Sequence, residues 1–68
     1  MKTNRVPPAF RIPEQIRKRL SLSKDAFSIR LGYSSAAYRI AMGRGSLSRW
    51  MATEINLRFG VSLEELRK

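Results

Sequence analysis

The residues of this chain able to do chemistry are its arginines and lysines. Fourteen Lys and Arg stand against five Asp and Glu in 68 residues, with no Cys and no His. Lacking both, the chain has no disulfide, no thiolate or imidazole metal ligand, and not the commonest general base. What is left is noncovalent: point charge from Lys and the planar donor fork of Arg. Catalytic residues, metal ligands and cofactors are therefore expected to be none, and an enzyme is not expected. Asp25 and Glu14 read as helix-dipole residues, and Glu54, Glu64 and Glu65 as a solvated carboxy-terminal face.

The charge is unevenly placed. Eleven bases and two acids lie between Met1 and Arg49, whereas three of each lie from Trp50 onward. The net +9 thus belongs to the first two-thirds of the chain. Such a surface suits a polyanion: nucleic acid, an anionic membrane or an acidic protein. A membrane-surface peptide needs one long amphipathic helix, which the sequence lacks. No apolar run reaches the roughly 20 residues of a membrane span, and MKTNRVPPAF has no apolar signal core. A cytoplasmic, nucleoid-associated protein is expected. Sixty-eight residues make one domain with a small core, burying about 60% of its unfolded surface.

The elements that must position these charges can be placed from caps and breakers. Residues 1–12 read as a basic arm stiffened by Pro7 and Pro8. Residues 13–68 read as the folded domain. A first helix is predicted from Pro13, with Ile16 and Leu20 as its apolar stripe. Ser23 caps a second helix running to about Leu31, whose Ala26, Phe27 and Leu31 face inward. Gly32 then sits where a left-handed C-cap residue belongs, and Ser34 or Ser35 caps a third helix over about 34–42. Two helices joined so closely form a helix-turn-helix over about Lys24 to Met42. Gly43 and Gly45 end the third helix. A fourth, about Leu47 to Phe59 with Ser46 or Ser48 as its cap, brings Leu47, Trp50, Met51, Ile55, Leu57 and Phe59 toward the core. Gly60 stops it, and Ser62 with Glu65 forms a capping box for a fifth, with Val61 and Leu66 as its staple. The expected fold is an all-α bundle of about five short helices.

In order and spacing, the Ser-initiated second helix, LGYSSAAYRI, the Gly/Arg loop and LRFGVSLEELRK resemble the Cro/C1-type (Xre-type) helix-turn-helix DNA-binding domain over about Ile16 to Leu66. The resemblance implies a lambda-repressor-like fold and double-stranded DNA as partner. It puts Ser35, Ala36, Arg39 and Ile40 at base-reading positions. Lys24 stands at a phosphate contact that is usually Gln, and Arg44 in the loop of backbone contacts. Gly32 matches the turn glycine. The chain departs from the pattern at Ser28, usually Ala, whose hydroxyl could bond to a preceding carbonyl. Tyr38 stands for Val or Ile and Ala41 for a larger aliphatic residue, so that Tyr38 fills the space. Met42 stands for an acid that pairs with an Arg of the first helix, which leaves Arg17 for DNA phosphates or solvent.

Arg39 is the foremost base reader, since Arg in a major groove can bond guanine O6 and N7 together. Ala36 and Ile40 suit thymine methyls. Lys24, Ser34, Arg44 and Arg49 are the backbone-contact candidates, Ser34 through a helix N-terminus. Lys2 and Arg5 on the arm suit a minor groove. Trp50, Phe27 and Phe59 are assigned to the core, and because aromatics are not interleaved with bases, RNA is the weaker reading. The expectation is a sequence-specific DNA-binding protein, most simply a transcriptional repressor of phage or plasmid type. It would act as a homodimer or as side-by-side monomers, with Leu63 and Leu66 available for pairing. No small-molecule substrate is evident. The alternative is a protein-interaction module, inhibitor or antitoxin-like, on the same fold, or the DNA-binding part of a longer maintenance protein.

Overall fold

Five short α-helices follow one another without a strand among the described residues of this computed structural model, 6–67. They are α1 (Arg11–Arg19), α2 (Lys24–Arg30), α3 (Ala37–Arg44), α4 (Arg49–Phe59) and α5 (Leu63–Arg67), preceded by a 3-10 turn, Pro8–Phe10. The fold is the expected all-α bundle. Its most extensive inter-element contact is α2 against α3, and α5 rests on α4, α1 and the 3-10 turn.

The core is built around four rings. Tyr38 of α3 meets Phe10 edge-on at 5.5 Å and Phe27 edge-on at 4.9 Å, and Phe27 stacks on Phe59 at 5.6 Å. Leu31, Met51, Ile55, Leu66 and Ile16 close the cluster. Phe10 comes from the stretch assigned to the arm. Pro8 begins a 3-10 turn, the Phe10 N–H donates to the Pro7 carbonyl at 2.8 Å, and the ring is fully buried. Proline is tolerated in a first turn, where its missing N–H needs no partner. The folded part therefore begins before Pro13. Lys2 and Arg5 lie outside the described residues.

The caps are what the serines announce, with one exception. Ser23 Oγ accepts from Ala26 N–H at 3.0 Å, Ser48 Oγ from Met51 N–H at 3.1 Å, and Ser62 Oγ from Glu65 N–H at 3.1 Å. Gly32 takes φ +89° after α2, and Tyr33 N–H returns to the Ser28 carbonyl at 3.1 Å. The same six-to-one closure ends α1, where Leu22 N–H donates to the Arg17 carbonyl, but the left-handed residue there is Ser21, at φ +57°. The exception is α3. Neither Ser34 nor Ser35 caps it, and Ala36 is the cap residue without a side-chain bond. The α3 N-terminus is held from α2 instead. Buried Ser28 Oγ accepts from Tyr38 N–H at 3.1 Å and donates to the Ser34 carbonyl. Its partners are thus on α3 and the turn, not a preceding carbonyl. Gly43 lies within α3, and Gly45 alone ends it.

Three apolar assignments are reversed. Trp50 is 73% exposed and Leu57 71%. The buried row of α4 is Met51 and Ile55, with Phe59 packed against it, spaced by four. At 100° per residue, Trp50 and Leu57 share a row about 100° or more from Met51. Leu20 is exposed as well, at the end of α1.

Candidate nucleic-acid interface

The helix that carries the predicted reading residues is anchored by its inner face. Tyr38 is fully buried, and its hydroxyl donates to Glu14 Oε2 at 2.9 Å. Glu14 is 5% exposed and takes a two-pronged guanidinium from Arg17, Nε to Oε2 at 2.8 Å and Nη2 to Oε1 at 2.7 Å. Arg17 Nη1 also donates to the Leu22 carbonyl at 2.8 Å. Arg17 is thus held inside the fold and is not left for phosphates. Glu14 supplies the acid from α1 itself. It stands in the first turn of α1, as the dipole reading has it, and is buried there as well.

The electrostatics follow from this geometry. The Arg17 hydrogen bonds hold the Glu14 carboxyl below its ordinary 4.5, against burial, with Tyr38 adding to the effect. The carboxylate raises the Arg17 pKa in turn, through the same hydrogen bonds. Burial, then the bond to Glu14, pushes the Tyr38 phenol far above its ordinary 10. All three groups keep their usual charge states at neutral pH.

The outer face of α3 is open. Arg39 and Ile40 are exposed, Ile40 by 54%, as are Ser34 and Ser35 in the preceding turn. Ala36 is half-buried. Residues 36, 39, 40 and 43 share a helix face by their spacing. Arg39, Met42 and Gly43 line an open concavity of about 650 Å³ with Lys18 and the Glu14–Arg17 pair of α1, Lys24 of α2, and Val6 and Pro7. Two predicted site residues, Lys24 and Arg39, therefore meet in one place. Lys18 joins them, a residue that its sequence position left on an undifferentiated basic helix. Arg44, in the last turn of α3, is exposed, and the adjacent Gly45 lies beside Pro7, so the chain enters the fold next to the end of α3. Arg49 does not join this group. It lines a separate groove with Leu47, Ala52 and Leu63.

Arg39 is not solitary. Its Nε donates to Asp25 Oδ1 at 3.0 Å, from α3 to the first turn of α2. The side chains are 55% and 49% exposed. Such a pair contributes about 0–1 kcal/mol to stability. Asp25 was legible as a dipole residue, but its partner was not, since only the packing of α2 on α3 brings the two together.

Among the described residues no group of acidic side chains could hold a metal ion, and no helix is long and apolar enough to cross a membrane. No family model, curated protein or solved structure matches this chain.

Proposed function

We propose that this chain binds double-stranded DNA, laying the outer face of α3 in the major groove, and acts as a sequence-specific regulator, most simply a repressor of phage or plasmid type. The observation that carries the reading is the convergence of Lys18, Lys24 and Arg39 on one concavity beside the exposed face of α3. Arg39 reads guanine, Ile40 and Ala36 meet thymine methyls, and Ser35 lies at the entry of the helix. Lys24, Lys18, Ser34 and Arg44 meet phosphates, and Lys2 and Arg5 extend the contact from the arm. The packing of α2 on α3 and the Cro/C1-type resemblance of the sequence support the same reading.

A homodimer belongs to this proposal, because one short helix reads too few base pairs for genomic specificity. Leu66 is buried and cannot serve, which leaves Leu63 and the Trp50–Leu57 row of α4. We assign that row to a second copy. It lies in the charge-balanced part of the chain, where two molecules of net charge +9 can approach with least repulsion.

The test is selection from random duplex DNA, followed by affinity for the selected and scrambled sequences at two salt concentrations. A defined motif is expected. Arg39→Ala should then relax one base position by about 1–3 kcal/mol. Binding without a motif at either salt would reject the specific regulator. The exposed Trp50 and Leu57 favour a second reading, a module that binds another protein. Such a module would bind its partner regardless of Arg39 and would ignore duplex DNA.

A further inference from the structure

We propose that Asp25 is the positioning residue for base recognition, holding Arg39 by one edge so that the end of its guanidinium is presented to a guanine. The inference rests on the DNA-binding reading above and adds a second residue, on a different helix, to its specificity.

The guanidinium has five N–H donors in a fixed plane, one on Nε and two on each terminal nitrogen. Asp25 Oδ1 takes the Nε donor at 3.0 Å. Among the described residues Nη1 and Nη2 make no hydrogen bond to the protein, so the donor pair suited to O6 and N7 stays available. The two side chains come from different helices, fourteen positions apart, and both are about half exposed. A pair so placed does little to hold the fold. What it does is restrict a long side chain before the ligand arrives, and preorganisation of this kind strengthens binding by reducing the ordering left to be done. Asp25 is itself well mounted. It stands in the first turn of α2, two residues after the Ser23 cap, on the helix that packs most extensively on α3.

A carboxylate beside a phosphate-binding surface also repels DNA of every sequence. The two effects of Asp25 therefore have opposite signs, and this separates positioning from simple charge. The experiment uses the full chain, the selected duplex, its single-base-pair variants and scrambled duplex, with Asp25→Asn and Asp25→Ala. Affinity for scrambled DNA should rise in both variants. Preference for guanine at one base pair should fall, by about tenfold. In an Arg39→Ala background, Asp25→Asn should still raise scrambled-DNA affinity but change no base preference. Asp25→Glu, which keeps the charge, should restore part of the preference. Circular dichroism and urea unfolding of Asp25→Asn should match the parent, because the exposed pair adds little stability. If Asp25→Asn and Asp25→Ala leave the guanine preference intact while the parent binds its motif, the positioning role is overturned and the DNA reading stands. If the parent shows no motif at all, the DNA reading fails and the role of Asp25 fails with it.

Discussion

The Tyr38 hydroxyl donates to the Glu14 carboxylate across 2.9 Å, tying α3 to α1 through a buried acid that Arg17 neutralises. The helix with the open face is thus fixed from behind by a charged hydrogen bond and by edge-on rings from Phe10 and Phe27. A rigid element suits recognition, which needs side chains held in place before the partner binds.

This arrangement makes stability depend on pH at both ends. The folded-state pKa of Glu14 lies below its unfolded 4.5, so its contribution is complete above 4.5 and is lost as pH falls through the folded value. Tyr38 has a folded pKa raised above 10, so its contribution is complete below 10 and is lost as pH rises beyond it. Urea midpoints should plateau between these limits. Glu14→Gln should flatten the acid limb while lowering the plateau. Tyr38→Phe should remove part of the alkaline limb, with Tyr33, also raised by burial, retaining the rest. Arg17→Ala leaves the carboxylate buried without its cation and should cost about 3 kcal/mol at neutral pH. An acid limb in Glu14→Gln equal to the parent's would assign it to another group.

Ser28 does what a cap serine would do, from another helix. Ser28→Ala removes the partner of the Tyr38 N–H at a fully buried side chain, and one of two hydrogen bonds to the Ser34 carbonyl, which also accepts from the Ala37 N–H. The expected loss is about 1–3 kcal/mol by chemical denaturation. Ser34→Ala and Ser35→Ala, which remove no hydrogen bond that caps α3, should each stay within about 0.5 kcal/mol. A larger loss from Ser35→Ala than from Ser28→Ala would reverse this assignment.

These contrasts show where the sequence is legible. Ser23, Ser48 and Ser62 were readable as caps because each bonds an N–H three residues on, and Gly32, Gly45 and Gly60 because left-handed backbone favours glycine. Ser28 was not readable, because its partners lie six and ten residues away and only the packing of α2 on α3 brings them together. Trp50 was misassigned although the helical phase was available. Met51, Ile55 and Phe59 define one row by themselves, and size led the tryptophan into it where the 100° step does not. Phe10 is not legible as core because Pro7 and Pro8 read as stiffening an arm, whereas Pro8 opens a turn. At the site, Lys24 and Arg39 were nameable singly. That Asp25 pairs with Arg39, and that Arg49 lies on a different groove, depends on long-range packing.

Ser21 carries strain that a glycine would relieve. Its φ of +57° closes α1 in a conformation that costs about 1–2 kcal/mol with a Cβ, offset in part by the greater unfolded entropy of glycine. Ser21→Gly should raise stability by about 0.5–1 kcal/mol, read as an upward shift in the thermal midpoint. A lower midpoint would mean that the Ser21 side chain contributes more than its strain.

Trp50 is the chain's single tryptophan and stands 73% exposed, so its emission reports directly on the α4 row. Dilute protein should show the red-shifted emission of a solvated indole, open to acrylamide. Emission should move to the blue with concentration as sedimentation shows a doubling of mass. Trp50→Glu and Leu57→Arg should abolish the doubling and leave unfolding within about 0.5 kcal/mol, whereas Ile55→Ala, in the core, should cost about 2–5 kcal/mol. A monomer at high concentration with solvated emission throughout would reject the row as a self-interface.

The basic residues can be sorted by the salt dependence of duplex binding. Each phosphate neutralised contributes about 0.9 to the slope of log affinity against log salt. Lys18 and Lys24 line the concavity beside Arg39, and Arg44 ends the same helix, so Lys18→Ala, Lys24→Ala and Arg44→Ala should each flatten the slope by about one. Their loss should weaken binding to every sequence alike, because a phosphate contact carries no base information. Arg49 lines a separate groove, and Arg17 is held by Glu14 and the Leu22 carbonyl. Arg49→Ala should therefore leave the slope nearly unchanged. Arg17→Ala should act through stability, and its loss of binding should disappear where the variant is kept folded at low temperature. If Arg49→Ala flattens the slope as much as Lys24→Ala does, the contact surface extends over α4. Unchanged slopes for Lys18, Lys24 and Arg44 would place the DNA on another face and take Arg39 out of the groove.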